Sequence, residues 1–449
     1  MSIFNKEGTM TKIGMISLGC PKNQVDAELM LAKLDAAGFE ISGEISGCDA
    51  VIINTCGFID DAKREAIDNI LEMADYKDAG EIKKIIVTGC LSERYKEEIL
   101  EELPEVDAIV GLGNNGNIVD IVNQTLSTTG PLVAIGEKTD LPLCGERLLT
   151  TPEYWGYLKI AEGCSNHCTY CAIPSIRGEM RSRTIESCVE EAKALADNGI
   201  KELIVIAQDT TRYGEDLYGE PKLHELLTEL CKIEKLQWIR ILYCYPERLT
   251  DELIDVIAKE EKICKYIDLP LQHCNGEVLK RMNRHGDRES LTALMNKLRD
   301  RIPGVCIRTT LITGFPGETE EQFTELAEFV KEIKFDCLGC FSYSPEDGTP
   351  AAKLPDQIEQ DVKVHRGELI MDSQYGIVLE NNQALIGKTL KVVVDGYDPY
   401  TDVYEGRTYR DAPEIDGKIS FISDKSLQPG TFIDVKVTDY NEYDLIGEA

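Results

Sequence analysis

Short apolar runs recur along the chain, and the spacing between them changes character three times. Between residues 11 and 128 they alternate with stretches at helical spacing, the pattern of an open parallel α/β sheet. Residues 129–152 carry proline, glycine and little periodicity, and read as a linker. From 153 onward strand-like runs return at 157–161, 203–208, 239–244, 266–272, 305–311 and 337–342, separated by helical patterns such as 184–198 and 319–333. Six such units predict a partial (β/α)6 barrel, with a polar and mostly helical connector completing the segment 153–372. Residues 373–449 change again, to short runs at 389–394, 402–405, 418–422 and 431–438 with turns at Asp395-Gly396 and Pro429-Gly430. That spacing predicts a small antiparallel β-barrel.

Three apolar runs of the first segment end alike, at Ile16-Ser-Leu-Gly-Cys20, Ile52-Ile-Asn-Thr-Cys56 and Ile86-Val-Thr-Gly-Cys90. In an open α/β sheet the carboxyl ends of the strands line one crevice, where ligands bind. Separations of 36 and 34 residues therefore collapse into one place, and a three-thiolate cluster site is expected there. A free cysteine is also an ordinary core residue; the threefold repeat of strand then cysteine is what favours ligands. Asn23, Asn54 and Gly57 flank these positions and are expected to donate to cluster sulfurs or to cap the following helices.

A second trio is local. Glu162-Gly-Cys164-Ser-Asn-His-Cys168-Thr-Tyr-Cys171 places three thiols within eight residues. Three thiolates so close can hold three irons of a cubane and leave the fourth without a protein ligand. A small molecule carrying an amine and a carboxylate can chelate that iron and receive an electron. The alternatives are a zinc site or unliganded thiols. Structural zinc usually takes two thiol pairs or a Cys/His quartet, and no partner pair follows at that spacing. His167 is either a fourth ligand or a solvated loop residue. A disulfide framework needs an oxidising compartment. The opening ten residues have no apolar leader core and no run reaches membrane-spanning length, so a cytoplasmic protein without a membrane is expected. Of the remaining cysteines, Cys188, Cys231, Cys264, Cys306, Cys337 and Cys340 read as packing residues; Cys244 and Cys274, near strand ends, stay open, and Cys144 in the linker has no role.

The carboxyl face of the barrel should carry its chemistry. Gln208-Asp209, Tyr245-Pro-Glu247, Gln272-His273 and Thr313-Gly314-Phe-Pro-Gly317-Glu318 arrive there. The last is a tight turn opening a helix at Thr319, and its backbone N–H groups suit the carboxylate or ribose of a nucleotide-like ligand. Tyr170 either packs on an adenine or is a buried aromatic. The formal charge of −32 argues against binding bare nucleic acid and fits a basic protein partner, or simply solubility. From Gln374 to Ala449 seven Lys/Arg stand against fourteen Asp/Glu, the wrong sign for a nucleic-acid-binding barrel.

At these residues the chain resembles a family. The cysteine loop is similar to that of the radical S-adenosylmethionine enzymes. The additional N-terminal trio and the terminal β-barrel resemble the methylthiotransferases, whose tail is a TRAM domain, from about Lys12 to Gly447. Four stretches, Ser17-Leu-Gly-Cys-Pro-Lys-Asn23, Cys171-Ala-Ile-Pro-Ser-Ile-Arg-Gly178, Leu242-Tyr-Cys-Tyr-Pro-Glu247 and Asp268-Leu-Pro-Leu-Gln-His273, resemble the branch acting on small-subunit ribosomal protein S-twelve, not the branch acting on an adenosine of tRNA. Gln24, where an aliphatic residue is expected, departs from the pattern. The resemblance implies two 4Fe-4S clusters and conversion of C–H to C–SCH3 at the β-carbon of an aspartate in that basic protein. Cys164, Cys168 and Cys171 would hold the cluster that binds and cleaves S-adenosylmethionine. Cys20, Cys56 and Cys90 would hold an auxiliary cluster carrying the sulfur, with a second S-adenosylmethionine supplying the methyl group. It further implies cofactor contacts among Tyr170, Gln208, Gln272, Arg308, Gly314, Gly317 and Glu318, an electron donor such as flavodoxin or ferredoxin, and a sulfur donor. The acidic tail disfavours tRNA, whose adenosine is the alternative substrate; a non-catalytic iron–sulfur or zinc protein that binds ribosomes is the other alternative. Side-chain acids and bases cannot break an unactivated C–H bond at neutral pH, so a cofactor radical must. The two clusters must then face one cavity, and the sheet is expected to pack its cysteine ends over the barrel mouth. Arg177, Arg181 and Arg183 are expected near that mouth or as surface charges.

Overall fold

The computed structural model describes residues 10–449; the opening stretch 1–9, read above for its lack of a leader core, lies outside the described residues. The chain divides into two compact units: residues up to Thr150 with Ala161–Arg183 and Ser344–Ala352, and Thr151–Ile160 with Thr184–Tyr343 and Lys353–Ala449.

In the first unit, β1 (Lys12–Ser17), β2 (Glu40–Ser42), β3 (Ala50–Thr55), β4 (Ile85–Gly89), β5 (Ala108–Val110) and β6 (Leu132–Ala134) form one parallel sheet of order β2-β1-β3-β4-β5-β6. Neighbouring strand residues face opposite sides, so each strand needs apolar positions throughout. Ile52, Ile86 and Ala108 pack with Met30 and Leu34 of α1 (Pro21–Ala36) and with Ile121 and Val122 of helix Ile118–Ser127. Val51, Ile53, Ile85, Val87 and Ile109 pack with Ala66, Ile70 and Met73 of α2 (Asp60–Asp78). Burying each such Ile or Val contributes roughly 1.5–3 kcal/mol. The strands leading into the three separated cysteines, β1, β3 and β4, are adjacent, and chain order reverses between β1 and β3, the switch point where such sheets bind ligands.

In the second unit, β7 (Trp155–Lys159) pairs in parallel with β10 (Glu202–Ile206), and β10 with β11 (Trp238–Ile241). The numbers between belong to the first unit, where β8 (Ala161–Glu162) pairs antiparallel with β9 (Arg181–Ser182). β12 (Tyr266–Asp268), β13 (Cys306–Thr313) and β14 (Cys337–Ser342) form a second parallel set, joined to the first by a bridge from Ile239 to Ile263. The six expected βα units are all present, and the two capped helices begin where the sequence puts them, at Ile185 after Thr184 and at Glu320 after the Thr319–Gln322 capping box.

The tail strands β15 (Thr389–Asp398), β16 (Val403–Thr408), β17 (Ile419–Ile422), β18 (Phe432–Asn441) and β19 (Asp444–Glu448) close into a barrel around Val392, Val394, Ile419, Phe421, Val435, Val437 and Leu445. One pair departs from the antiparallel expectation: β17 and β19 run parallel. Five strands in a closed ring cannot alternate direction all the way round, so one parallel pair is unavoidable.

This barrel packs on the starting ends of the parallel strands. Arg407 bonds Glu202 at 2.7 Å and Asp395 at 2.9 Å, Glu202 also accepts from Arg240 at 2.9 Å, Tyr266 donates to Asp416 at 2.7 Å, and Trp238 meets Phe432 edge-on. The carboxyl ends of the strands are thereby left to the opposite side of that unit.

Candidate functional site

Cys20 stands at the N-terminus of α1, before Pro21; Cys56 follows β3; Cys90 opens the short helix α3 (Cys90–Arg94). Glycines let the three loops crowd together. Gly19 adopts φ +89°, and a Cβ there would lie 2.6 Å from the Cβ of Cys56. A Cβ on Gly57 would lie 2.7 Å from the Cα of Leu91, and one on Gly89 (φ +99°) 2.3 Å from the carbonyl oxygen of Thr55. No side chain fits at those approaches.

The three thiols feel one another electrostatically. Burial pushes Cys90 up to about 12, with the charges of Cys20 and Cys56 adding and Arg177 opposing. Burial also raises Cys56, and the charge of Cys20 raises it further. Cys20 alone is held below the ordinary thiol value: burial opposes this, but Lys22, Arg177 and the backbone N–H groups of Asn23 and Lys22 outweigh it. Three thiolates cannot persist together here without a cation, which suits a metal cluster. The carboxylate of Glu65 adds to the rise at Cys56 only from a distance, and the groups that converge are thiols, the donor set of iron–sulfur ligation. Among the described residues, no three His, Cys, Asp or Glu side chains are grouped so as to hold one metal ion; in a cubane each thiolate holds its own iron.

Asn23 and Asn54 do not cap helices. The amide of Asn23 donates to the carbonyls of Leu18 and Thr55, both at 2.9 Å, tying the ends of β1 and β3, and that of Asn54 donates to the carbonyl of Asn23 at 2.7 Å. Loop carbonyls at the ends of strands need donors, and these amides supply them.

The Cys164–Cys171 loop lies in the same compact unit. Its base is closed by the β8–β9 pair, by the N–H of Cys164 on the carbonyl of Gly178 at 3.1 Å, and by Gly163 (φ +79°), where an added Cβ would lie 2.3 Å from the carbonyl oxygen of Glu179. His167 is exposed and points at Glu179, 3.5 Å away, as a solvated loop residue does. Tyr170 is half-buried. Behind the loop, Ala172 and Ile176 pack with Cys90, Leu112 and Leu141.

Arg177 joins the two trios. Although charged, it is 2% exposed. It donates to Glu162 at 2.9 Å, to Asn23 at 2.7 Å and, through Nε, to the sulfur of Cys90 at 3.4 Å, and it pairs with Asp26 at 3.0 Å. It is not a surface charge. Arg183 is buried too, while half-buried Arg181 donates to the carbonyl of Lys138 at 3.0 Å. A second clamp involves Glu346, which accepts from the N–H of Asp60 at 3.1 Å, from Lys63 at 3.1 Å and from Arg94 at 2.9 Å, and so fixes the loops after Cys56 and Cys90. Its segment also reaches the other trio, through the N–H of Ala351 on the carbonyl of Thr169 at 2.9 Å. Neither clamp is visible in sequence, since their partners lie far apart along the chain.

The remaining expected contacts belong to the second unit. Gln208 follows β10, and Gln272 follows β12 in a left-handed conformation (φ +70°), held by backbone bonds of 2.8 Å to Thr310 and Ile312. Arg308 turns to carboxylates, Asp268 at 3.0 Å and Asp416 at 3.3 Å. The Gly314–Glu318 turn corrects an expectation. Its N–H groups do not stand open: those of Gly314 and Phe315 donate to the carboxylate of Glu318, and that of Gly317 to the carbonyl of Asp356. The turn supplies its own acceptor, the buried carboxyl of Glu318.

Three family models match in succession: uncharacterized protein family UPF0004 over residues 12–111, the radical SAM superfamily over 158–330 and the TRAM domain over 386–449. Solved structures agree on the fold. The radical S-adenosylmethionine methyltransferase TsrM from Kitasatospora setae superposes with a TM-score of 0.55 at 15% identity, over 76% of this chain and 77% of that one. The cobalamin-dependent S-adenosylmethionine radical enzyme OxsB superposes with a TM-score of 0.52 at 14% identity, over 82% of this chain and 57% of that one. The fold and the cysteine loop together define a radical S-adenosylmethionine enzyme, a class that works with S-adenosylmethionine and a [4Fe–4S] cluster.

Full-length relatives narrow the class. The ribosomal protein uS12 methylthiotransferase RimO of Lachnoclostridium phytofermentans is 50% identical over 98% of this chain and 100% of its own length, and that of Desulforamulus reducens 51% identical over 98% and 99%. That of Clostridioides difficile is 48% identical over 98% and 99%. The chain belongs to the RimO family of radical S-adenosylmethionine methylthiotransferases.

Proposed function

We propose that this enzyme inserts sulfur and a methyl group at the β-carbon of an aspartate in ribosomal protein uS12, using two [4Fe–4S] clusters. Cys164, Cys168 and Cys171 hold one, and Cys20, Cys56 and Cys90 hold the other. When bound, these groups and S-adenosylmethionine supply the radical, the sulfur and the methyl group. The observation that carries the reading is the convergence of Cys20, Cys56 and Cys90 at adjacent strand ends, in the same compact unit as the three-thiol loop. The protein's own part is to keep six thiols reduced and partly dry, to fix the loops that bear them through Asn23, Arg177 and Glu346, and to present an acidic tail to a basic substrate. Gln208, Gln272 and Tyr170 contribute to binding S-adenosylmethionine. An external donor such as flavodoxin or ferredoxin supplies electrons, and a separate donor supplies sulfur. Among the described residues no helix is long and apolar enough to cross a membrane, and the work is assigned to the cytoplasm.

The test is anaerobic reconstitution followed by assay with labelled S-adenosylmethionine, reductant and sulfide, offering uS12 and tRNA together. The expected outcome is on the order of eight irons per chain, release of 5′-deoxyadenosine, and methylthio label on uS12. Label on tRNA and none on uS12 would overturn the choice of substrate.

A further inference from the structure

We propose that Arg177 is a positioning residue that tunes the cluster held by Cys20, Cys56 and Cys90 from a place only six residues beyond Cys171. The inference rests on the cluster assignment above and adds a residue to it. Arg177 ends the short helix Ile173–Arg177 that continues the three-thiol loop, yet its side chain turns to the other trio. Its Nε donates to Cys90 Sγ at 3.4 Å, and one Nη holds Asn23, whose amide ties the strand ends from which Cys20 and Cys56 depart. The other Nη is shared between Glu162 and Asp26, at 2.9 and 3.0 Å. Glu162 lies two residues before Cys164, so one planar group touches the approach to one trio and the sulfur of the other.

Two consequences follow from elementary electrostatics. A donor on a ligating sulfur and a buried cation both stabilise the reduced, more negative cluster, which raises its potential. The carboxylates of Asp26 and Glu162 work in the opposite direction, so the potential depends on the balance of a charged triad buried to within 2% of full. The guanidinium fork is also the only side-chain geometry that meets Asn23, the carboxylates and a sulfur together; an ammonium is a point charge on a flexible stem.

The test uses the full chain with Cys164, Cys168 and Cys171 changed to Ala, so that one cluster reports, and measures its midpoint potential by titration monitored with electron paramagnetic resonance. Arg177→Lys retains charge but loses the Nε donor, and should shift the potential to more negative values. Glu162→Gln keeps an acceptor for Arg177 but removes a negative charge, and should shift it to more positive values. Opposite shifts support the proposal. A residue that merely holds the fold predicts either no shift or a loss of iron in both variants, and either result overturns it. Should Arg177→Lys fail to fold, a Glu162→Gln potential equal to the parent's is enough to overturn it. Failure of the cluster assignment itself is read separately, as a parent chain that binds no iron at Cys20, Cys56 and Cys90.

Discussion

The two cysteine trios are assembled by opposite routes. Cys164, Cys168 and Cys171 are held within eight residues by the covalent chain, and their loop needs only a closed base. Cys20, Cys56 and Cys90 have no local relation at all. Sheet order brings them together, glycines at the loop crossings let them approach, and Asn23, Arg177 and Glu346 hold the loops still. A local site is robust because little beyond its own loop must fold. A distributed site inherits every weakness of the sheet behind it, and can be broken without touching a thiol.

The largest effects should separate the trios by chemistry. Cys168→Ala is expected to abolish release of 5′-deoxyadenosine and, with it, all methylthiolation. Cys56→Ala should leave S-adenosylmethionine cleavage intact and reduce methylthiolated uS12 to background. Methylthiolation that survives Cys56→Ala would remove the distributed trio from the ligand set.

A smaller effect should separate them by how they are built. Gly89 has φ +99° and ψ −160°, and its Cβ position collides with the backbone of Thr55. Gly89→Ala should cost about 3 kcal/mol or more, from a conformation open essentially to glycine alone plus the overlap. Iron should fall from about eight to about four per chain while S-adenosylmethionine cleavage persists. A Gly89→Ala chain with full iron and an unchanged melting temperature would show that the distributed trio tolerates displacement of its loops.

The sequence carried the local trio openly, and the distributed one through period: strand-like runs ending in cysteine three times over are legible because a parallel sheet needs uniformly apolar strands. What held the sites together was not legible. Arg177 reads as a charge near the barrel mouth or on the surface, and only the fold reveals its contacts with Asp26 and Cys90, 151 and 87 residues away. The Gly314–Glu318 turn was misread for a related reason. Backbone donors at a tight turn call for an acceptor, but the sequence cannot say whether a ligand or the chain's own side chain provides it.

That turn offers the smallest effect, and it lies outside both trios. Glu318 is 4% exposed; Oε2 accepts from Gly314 and Phe315, and Oε1 lies 3.5 Å from Arg366. Burial pushes its carboxyl up to about 7, more than Arg366 and the two N–H groups pull it down. An acid whose folded pKa lies above its unfolded value near 4.5 lends stability in its protonated form. The contribution is complete below the unfolded value and lost as pH rises through 7, because the unfolded chain releases its proton first. At about 1.4 kcal/mol per unit the full loss is on the order of 3 kcal/mol. Glu318→Gln has no such proton to lose. Urea denaturation at several pH values between about 5 and 8, with parent and variant in the same cluster state, should show the variant gaining on the parent as pH rises. Iron content should stay equal in the two. Parallel stability curves would mean that the turn's buried carboxyl is ionised throughout, with Arg366 and the backbone donors outweighing its burial.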